Sequence, residues 1–158
     1  MALDLTPLSS FRHIHTVAVR NYEIDWQGIV HNGNYLLYFE IARVEYFKAI
    51  GMKIDQRTIS GPIRIVIVRN ELDYLSSATF DDMLKIYTRI TVVKNSSFTC
   101  EAIMVNETTH LPVARNIAIL VWTDPASGKA TLIPNDVRDL VDTYEQGTAA
   151  VHRPATEV

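Results

Sequence analysis

The segment Tyr35 to Ile50, YLLYFEIARVEYFKAI, restricts the fold more than any other part of the chain. Asn34 before it is a good helix N-cap and Gly51 after it a good C′ residue, so the spacing predicts a helix of about four and a half turns, roughly 24 Å long. Its charges Glu40, Arg43, Glu45 and Lys48 fall at four separate angles around the axis, with Leu, Ile, Phe, Tyr and Ala between them. Such a helix has no polar face and requires burial on most sides, with Glu40/Arg43 and Glu45/Lys48 pairing at i,i+3. Charge interrupts it too often for a bilayer span, which needs about 20 predominantly apolar residues.

The material to bury it lies mostly downstream. After a first strand at Phe11–Asn21, four β-rich runs follow without an intervening helix: Ile63–Leu75, Leu84–Lys94, Phe98–Val105 and Val113–Thr123. The first of the four carries apolar residues on both sides, as expected of a strand covered on both faces. Turn clusters at Asn95-Ser-Ser97, Asn106 to Pro112 and Asp124 to Gly128 separate the later runs and imply antiparallel neighbours. Val137, Leu140, Val141 and Tyr144, after Pro134-Asn135, predict a short amphipathic helix. Residues 1–10 read as a leader stopped by Pro7, 52–61 as a connector and 146–158 as a loose tail. The expectation is one α+β domain over 1–158, core about 12–145, in which a curved five-stranded antiparallel sheet wraps a central helix. Its open sheet edges favour pairing with a second copy.

The net charge of −3, with no Lys/Arg cluster, argues against a nucleic-acid partner. Cys100 has no second cysteine to pair with, and MALDLTPLSSFRHIH has neither a basic n-region nor an apolar h-region, which points to the cytoplasm. Without a signal peptide, Asn95-Ser-Ser97 and Asn106-Glu-Thr108 are polar turns rather than glycosylation sites.

Chemistry concentrates in the loop before the helix. Asp25 is followed by Trp26, with Gly28 and Gly33 flanking Ile29-Val30, and the helix begins nine positions on. Unpaired N–H groups at a helix N-terminus attract the partial negative charge that develops on a carbonyl under attack, so loop and helix together suit acyl chemistry. With Asn34 as the cap, Asp25 is left free of that duty. His13 and His15 lack a third ligand at metal spacing and are expected on the surface; no metal or cofactor is called for. Cys100 sits in an apolar run as a small buried residue, and the absence of a G-x-S-x-G elbow removes the serine-hydrolase route. Tyr35 and Tyr38, close to the loop, are candidates to line an acyl pocket. Arg64, Arg69, Arg89 and Lys94 are cations that a phosphate-bearing ligand could use, on strand faces that are otherwise solvated.

These features resemble the hotdog-fold acyl-CoA thioesterases of the 4-hydroxybenzoyl-CoA thioesterase-like type, over about residues 12–145. The most specific part is Asp25-x-x-Gly28-Ile29-Val30-x-x-x-Asn34-Tyr35, similar to the family's D-x-x-G-[IV]-V-x-x-x-N-Y motif. Phe39-Glu40-x-Ala42-Arg43-x-Glu45 is similar to its helix pattern. Val68-Arg69-x-x-Leu72-Asp73-Tyr74 and Ala78-x-Phe80-Asp81-Asp82 are similar to its next strand and turn. The resemblance implies hydrolysis of an acyl-CoA thioester, with Asp25 as general base or nucleophile and the backbone N–H of Asn32 holding the carbonyl. It also implies Gly28, Ile29, Val30, His31, Gly33, Asn34, Tyr35, Tyr38 and Arg69 around the substrate, and a homodimer or homotetramer. Where some relatives carry a histidine at the seventh position after the aspartate, this chain has Asn32, with His31 one place earlier; Ser77 stands where the family often has proline. An acyl carrier protein is the alternative carrier for the same acyl group, and a non-catalytic acyl-binding module is the rival from another class; retention of Asp25 speaks against the latter.

Overall fold

The computed structural model describes residues 4–56, 61 and 64–155. Its main elements are β1 (His13–Ala18), α1 (Asn34–Ala49), β2 (Arg64–Tyr74), β3 (Met83–Val93), β4 (Ser97–Asn106), β5 (Pro112–Thr123), α2 (Asn135–Tyr144) and β6 (Ala150–Val151). The expected helices and five main strands are present; the ends assigned to 1–3, 57–60, 62–63 and 156–158 lie outside the described residues. The sheet runs β1-β3-β4-β5-β2, with every neighbour antiparallel.

Helix α1 packs on one face of this sheet. Tyr35, Tyr38, Phe39, Ala42, Arg43, Tyr46 and Phe47 are buried, a repeat of three and four residues that forms a single stripe. Its C-terminal half meets Ile90, Phe98, Leu120, Trp122 and Val141, and its N-terminal half meets Leu84, Ile86, Met104 and Ala114. Each large apolar side chain buried in this way contributes about 1.5–3 kcal/mol. The expected pairs both form, Glu40 with Arg43, and Lys48 with Glu45 at 2.7 Å. Burial on most sides does not occur: Leu36, Leu37 and Ile41 on the opposite face are exposed, Leu37 by 61%. One sheet covers one stripe of a helix, so the remaining apolar surface faces outward.

Strand β2 corrects a second expectation. It is the terminal strand, paired only with β5 among the described residues, and most of its residues are exposed rather than covered on both faces. A register shift between Ile67 and Arg69 places Val68 in a bulge, which explains why apolar residues occur on both sides of the run.

The C-terminal segment is not loose. β1 covers β3 only along Met83–Thr88, and β6 pairs in parallel with Val92–Val93 farther along the same edge, making a sixth strand. Arg138 of α2 holds this segment down. Its fully buried guanidinium donates to the carbonyls of Ile133 (3.1 Å), Lys94 (2.9 Å), Asn95 (2.8 Å) and His152. No periodicity announces such a tie, because the acceptors are main-chain atoms.

His13 corrects a third expectation. On the inward side of β1 it is buried and packs edge-on against Tyr46, with ring centroids 5.8 Å apart. The N-terminal segment crosses the outer sheet face, where the Thr6 hydroxyl donates to Glu101 at 2.8 Å and Phe11 lies under Arg89.

Candidate active site

The loop from Arg20 to Gly33 is folded on itself before the helix begins. Ile24 and Val30 form an isolated antiparallel bridge, and the Asp25 N–H donates to the Ile29 carbonyl at 2.9 Å. The Asp25 carbonyl accepts the Gly28 N–H at 3.0 Å, and Gly28 takes φ +79°, a left-handed conformation that glycine adopts without strain. One carboxylate oxygen of Asp25 accepts the Gln27 N–H at 2.7 Å, an Asx turn. Asp25 is therefore a turn former as well as a candidate catalyst; its other oxygen has no partner among the described residues.

A second strap pins the loop from outside. The Val30 N–H donates to the Ala78 carbonyl at 2.8 Å, and the Thr79 hydroxyl to the Gly28 carbonyl at 3.0 Å. At the base, the carbonyl of Glu23 accepts both the His31 N–H and the Asn34 side-chain amide, each at 2.9 Å. Asn34 is thus not the N-cap. It is the first helical residue, Gly33 stands at the cap position without a side-chain bond, and the Asn34 amide ties the helix start to the loop base.

The N–H groups entering the helix sort clearly. That of His31 goes to Glu23, that of Gly33 to the His31 imidazole Nδ1 at 3.1 Å, and that of Asn34 to the His31 carbonyl at 2.9 Å. The Asn32 N–H has no acceptor among the described residues, while its carbonyl accepts the Tyr74 hydroxyl at 3.0 Å. A donor held from one side and unpaired on the other is the geometry that a developing oxyanion needs.

Asp25 and Asn32 open on one cavity of about 610 Å³, lined by Trp26, Gln27, Ile29, Val30, His31, Tyr35, Tyr74, Leu75, Ser76 and Ser77 as well. Of the expected site residues, Asp25, Ile29, Val30, His31, Asn32 and Tyr35 line it. Gly28, Gly33 and Asn34 shape the loop from behind. Tyr38 lies outside the lining, buried with its hydroxyl donating to Glu23 at 2.6 Å. Arg69 also lies outside, exposed on β2 and paired with Glu71. Trp26, 92% exposed, gives Asp25 no apolar cover in the single chain. Burial raises the Tyr35 phenol above its ordinary value, with the Asp25 charge adding to this, so Tyr35 presents a protonated hydroxyl. Burial and Glu23 raise Tyr38 likewise. Burial pushes the Cys100 thiol up to about 12, which leaves it inert as a nucleophile.

Tyr74, which packs edge-on against Tyr35 at 5.3 Å, was legible only as strand sequence, and Glu23 carried no sequence signal at all. Among the described residues, the cavity lining contains no lysine or arginine. Among the described residues, no group of three or more His, Cys, Asp or Glu is placed to hold a metal, and no helix is long and apolar enough to cross a membrane.

A long antiparallel sheet packed on one central helix, with Asp25 and Asn32 lining a cavity beside the helix start, defines an α+β domain of the hotdog class. The chain belongs to the Thioesterase-like superfamily, whose family model matches residues 19–141, and thioester hydrolysis is the activity class that goes with it. Among relatives, it is 28% identical over 122 residues to the acyl-CoA thioester hydrolase YbgC of Escherichia coli, an alignment spanning 77% of this chain and 89% of that one. It is 25% identical over 131 residues to the chloroplastic acyl-acyl carrier protein thioesterase ATL3 of Arabidopsis thaliana, spanning 83% of this chain and 67% of that one. A Thermus thermophilus thioesterase solved with coenzyme A and zinc superposes with a TM-score of 0.76 at 26% identity, covering 87% of this chain and 96% of that one.

Proposed function

We propose that this protein hydrolyses an acyl-CoA thioester to the free acid and coenzyme A, using Asp25 and the backbone N–H of Asn32. The observation that carries this is the pair itself: a carboxylate with one oxygen, and a residue with a backbone N–H, that have no partner among the described residues and line the same cavity. As general base, Asp25 takes a proton from water as the water oxygen adds to the thioester carbon. The oxyanion forms against the Asn32 N–H, the C–S bond breaks, and the thiolate recovers the proton. As nucleophile, Asp25 adds to the thioester carbon instead and expels the thiolate, giving an acyl-aspartyl anhydride that water then cleaves to the free acid and the regenerated carboxylate. Single-turnover hydrolysis in ¹⁸O water separates the two: label entering the Asp25 carboxylate marks the nucleophile.

The relatives named for acyl-CoA and the neighbour that holds coenzyme A support CoA as the carrier. The acyl-carrier-protein reading has one observation in its favour besides a relative's name: the absence of cations among the described residues of the cavity lining, since a carrier protein can be gripped by surfaces remote from the cavity. The retained carboxylate favours catalysis over simple acyl binding.

We further infer that the chain, acting in the cytoplasm as one catalytic domain, works as a homodimer or a homotetramer of paired dimers. The free edge of β2, whose end residue Tyr74 lines the cavity, and the exposed Leu36, Leu37 and Ile41 of α1 together offer the surface. A panel of aromatic and aliphatic acyl-CoA esters, followed by released thiol, tests the activity. Turnover of at least one member is expected, and inertness toward the whole panel and toward acyl carrier protein esters contradicts it.

A further inference from the structure

Glu23 is buried, 5% exposed, at the base of the loop that carries Asp25. Its carboxylate accepts the Arg20 N–H at 2.7 Å, the Arg20 guanidinium at 2.5 and 3.0 Å, and the Tyr38 hydroxyl at 2.6 Å. Burial opposes this charge, yet the Arg20 and Tyr38 bonds outweigh it and hold the carboxyl below its ordinary range. The anion is therefore permanent at neutral pH, and its partners are fixed.

Those partners belong to both halves of the site. Tyr38 lies one turn into α1, so the carboxylate bonds the helix body. The Glu23 carbonyl receives the His31 N–H, next to Asn32, and the Asn34 amide at the first helical residue. Asp25 follows two positions after Glu23, inside the Ile24–Val30 bridge. Glu23 thus ties the base of the loop to Tyr38, His31 and Asn34, alongside the Ile24–Val30 bridge and the Tyr74 bond to Asn32, and so bears on the spacing of the Asp25 carboxylate and the Asn32 N–H. A displacement of about 1 Å at such a pair costs on the order of 10²-fold in rate.

Building on the proposed roles of Asp25 and Asn32, we infer that Glu23 is a positioning residue that sets their spacing through Tyr38 and the His31–Asn34 turn. It touches no substrate, since it does not line the cavity. Its contribution falls on the chemical step, where the oxyanion is closest to the N–H, and barely on substrate affinity.

The test is a set of variants assayed as kcat and KM per folded enzyme, with folding checked by thermal melting. Glu23→Gln keeps the shape and one acceptor but loses the charge, and Tyr38→Phe removes only the hydroxyl. Each is expected to lower kcat by about 10- to 100-fold with KM within about threefold. The double variant should fall little beyond the worse single one, because both act through one bond. Glu23→Asp, which keeps the charge on a shorter stem, should recover part of the loss. Unchanged kcat in Glu23→Gln and Tyr38→Phe, with or without a lower melting temperature, overturns the inference and leaves the role of Asp25 standing if Asp25→Asn is inactive in parallel. Full activity of Asp25→Asn removes both.

Discussion

The hydroxyl of Tyr74, at the end of the terminal strand, donates to the carbonyl of Asn32 at 3.0 Å, joining two residues that line the cavity from distant parts of the chain. The bond holds the main chain of Asn32, whose N–H has no acceptor among the described residues. Removing it in Tyr74→Phe forfeits about 0.5–1.5 kcal/mol, a typical net value for one hydrogen bond. Steady-state kinetics should show kcat lowered about two- to tenfold with KM little changed. An increase in KM alone would place Tyr74 in substrate binding instead.

His13 links stability to pH. Burial, then the neighbouring His15, lowers its pKa below the ordinary value of about 6.5, and the charge of Glu45 only partly opposes them. The unfolded chain therefore binds the proton more readily than the folded one. Its stabilising contribution is complete above about pH 6.5 and is lost as pH falls through the depressed folded value. Urea midpoints measured from pH 7.5 down to pH 5 should fall in the wild type and fall less in His13→Leu. Parallel curves would show that the imidazole does not titrate differently on folding.

Assembly is testable without knowledge of the substrate. The free edge of β2 and the apolar outer stripe of α1 predict a dimer or larger species by light scattering at micromolar concentration. Val68→Asp, a charge at the exposed bulge of that strand, should shift the population toward monomer and lower activity, because Tyr74 at the far end of the same strand lines the cavity. A monomeric wild type contradicts the proposed assembly.

Local pattern carried the fold a long way. Helix α1, helix α2 and the main strands were all legible, because each shows its own period and its own stops. What escaped depends on partners distant in the chain. β6 is two residues long and exists because β1 leaves part of β3 open, and Arg138 reaches carbonyls that no sequence rule points to. The apolar sides of β2 suggested burial, whereas the strand is terminal and bulged at Val68. Of the residues that line the cavity, Asp25, Ile29, Val30, His31, Asn32 and Tyr35 were legible in the sequence. Asn34 is not the cap its position suggests, because its amide is drawn to the Glu23 carbonyl, and Glu23 is not legible because a glutamate two positions before an aspartate has no distinctive spacing.

The central claim is that Asp25 performs the chemistry. Asp25→Asn preserves shape and can still hold the Gln27 turn, but its amide is neither a useful base nor a nucleophile. The direct measurement is single-turnover hydrolysis of the best acyl-CoA ester by wild type and Asp25→Asn, with substrate affinity determined alongside. The account predicts a rate lower by about 10²–10⁴ with affinity nearly unchanged. A folded Asp25→Asn enzyme that hydrolyses the ester at the wild-type rate would contradict it.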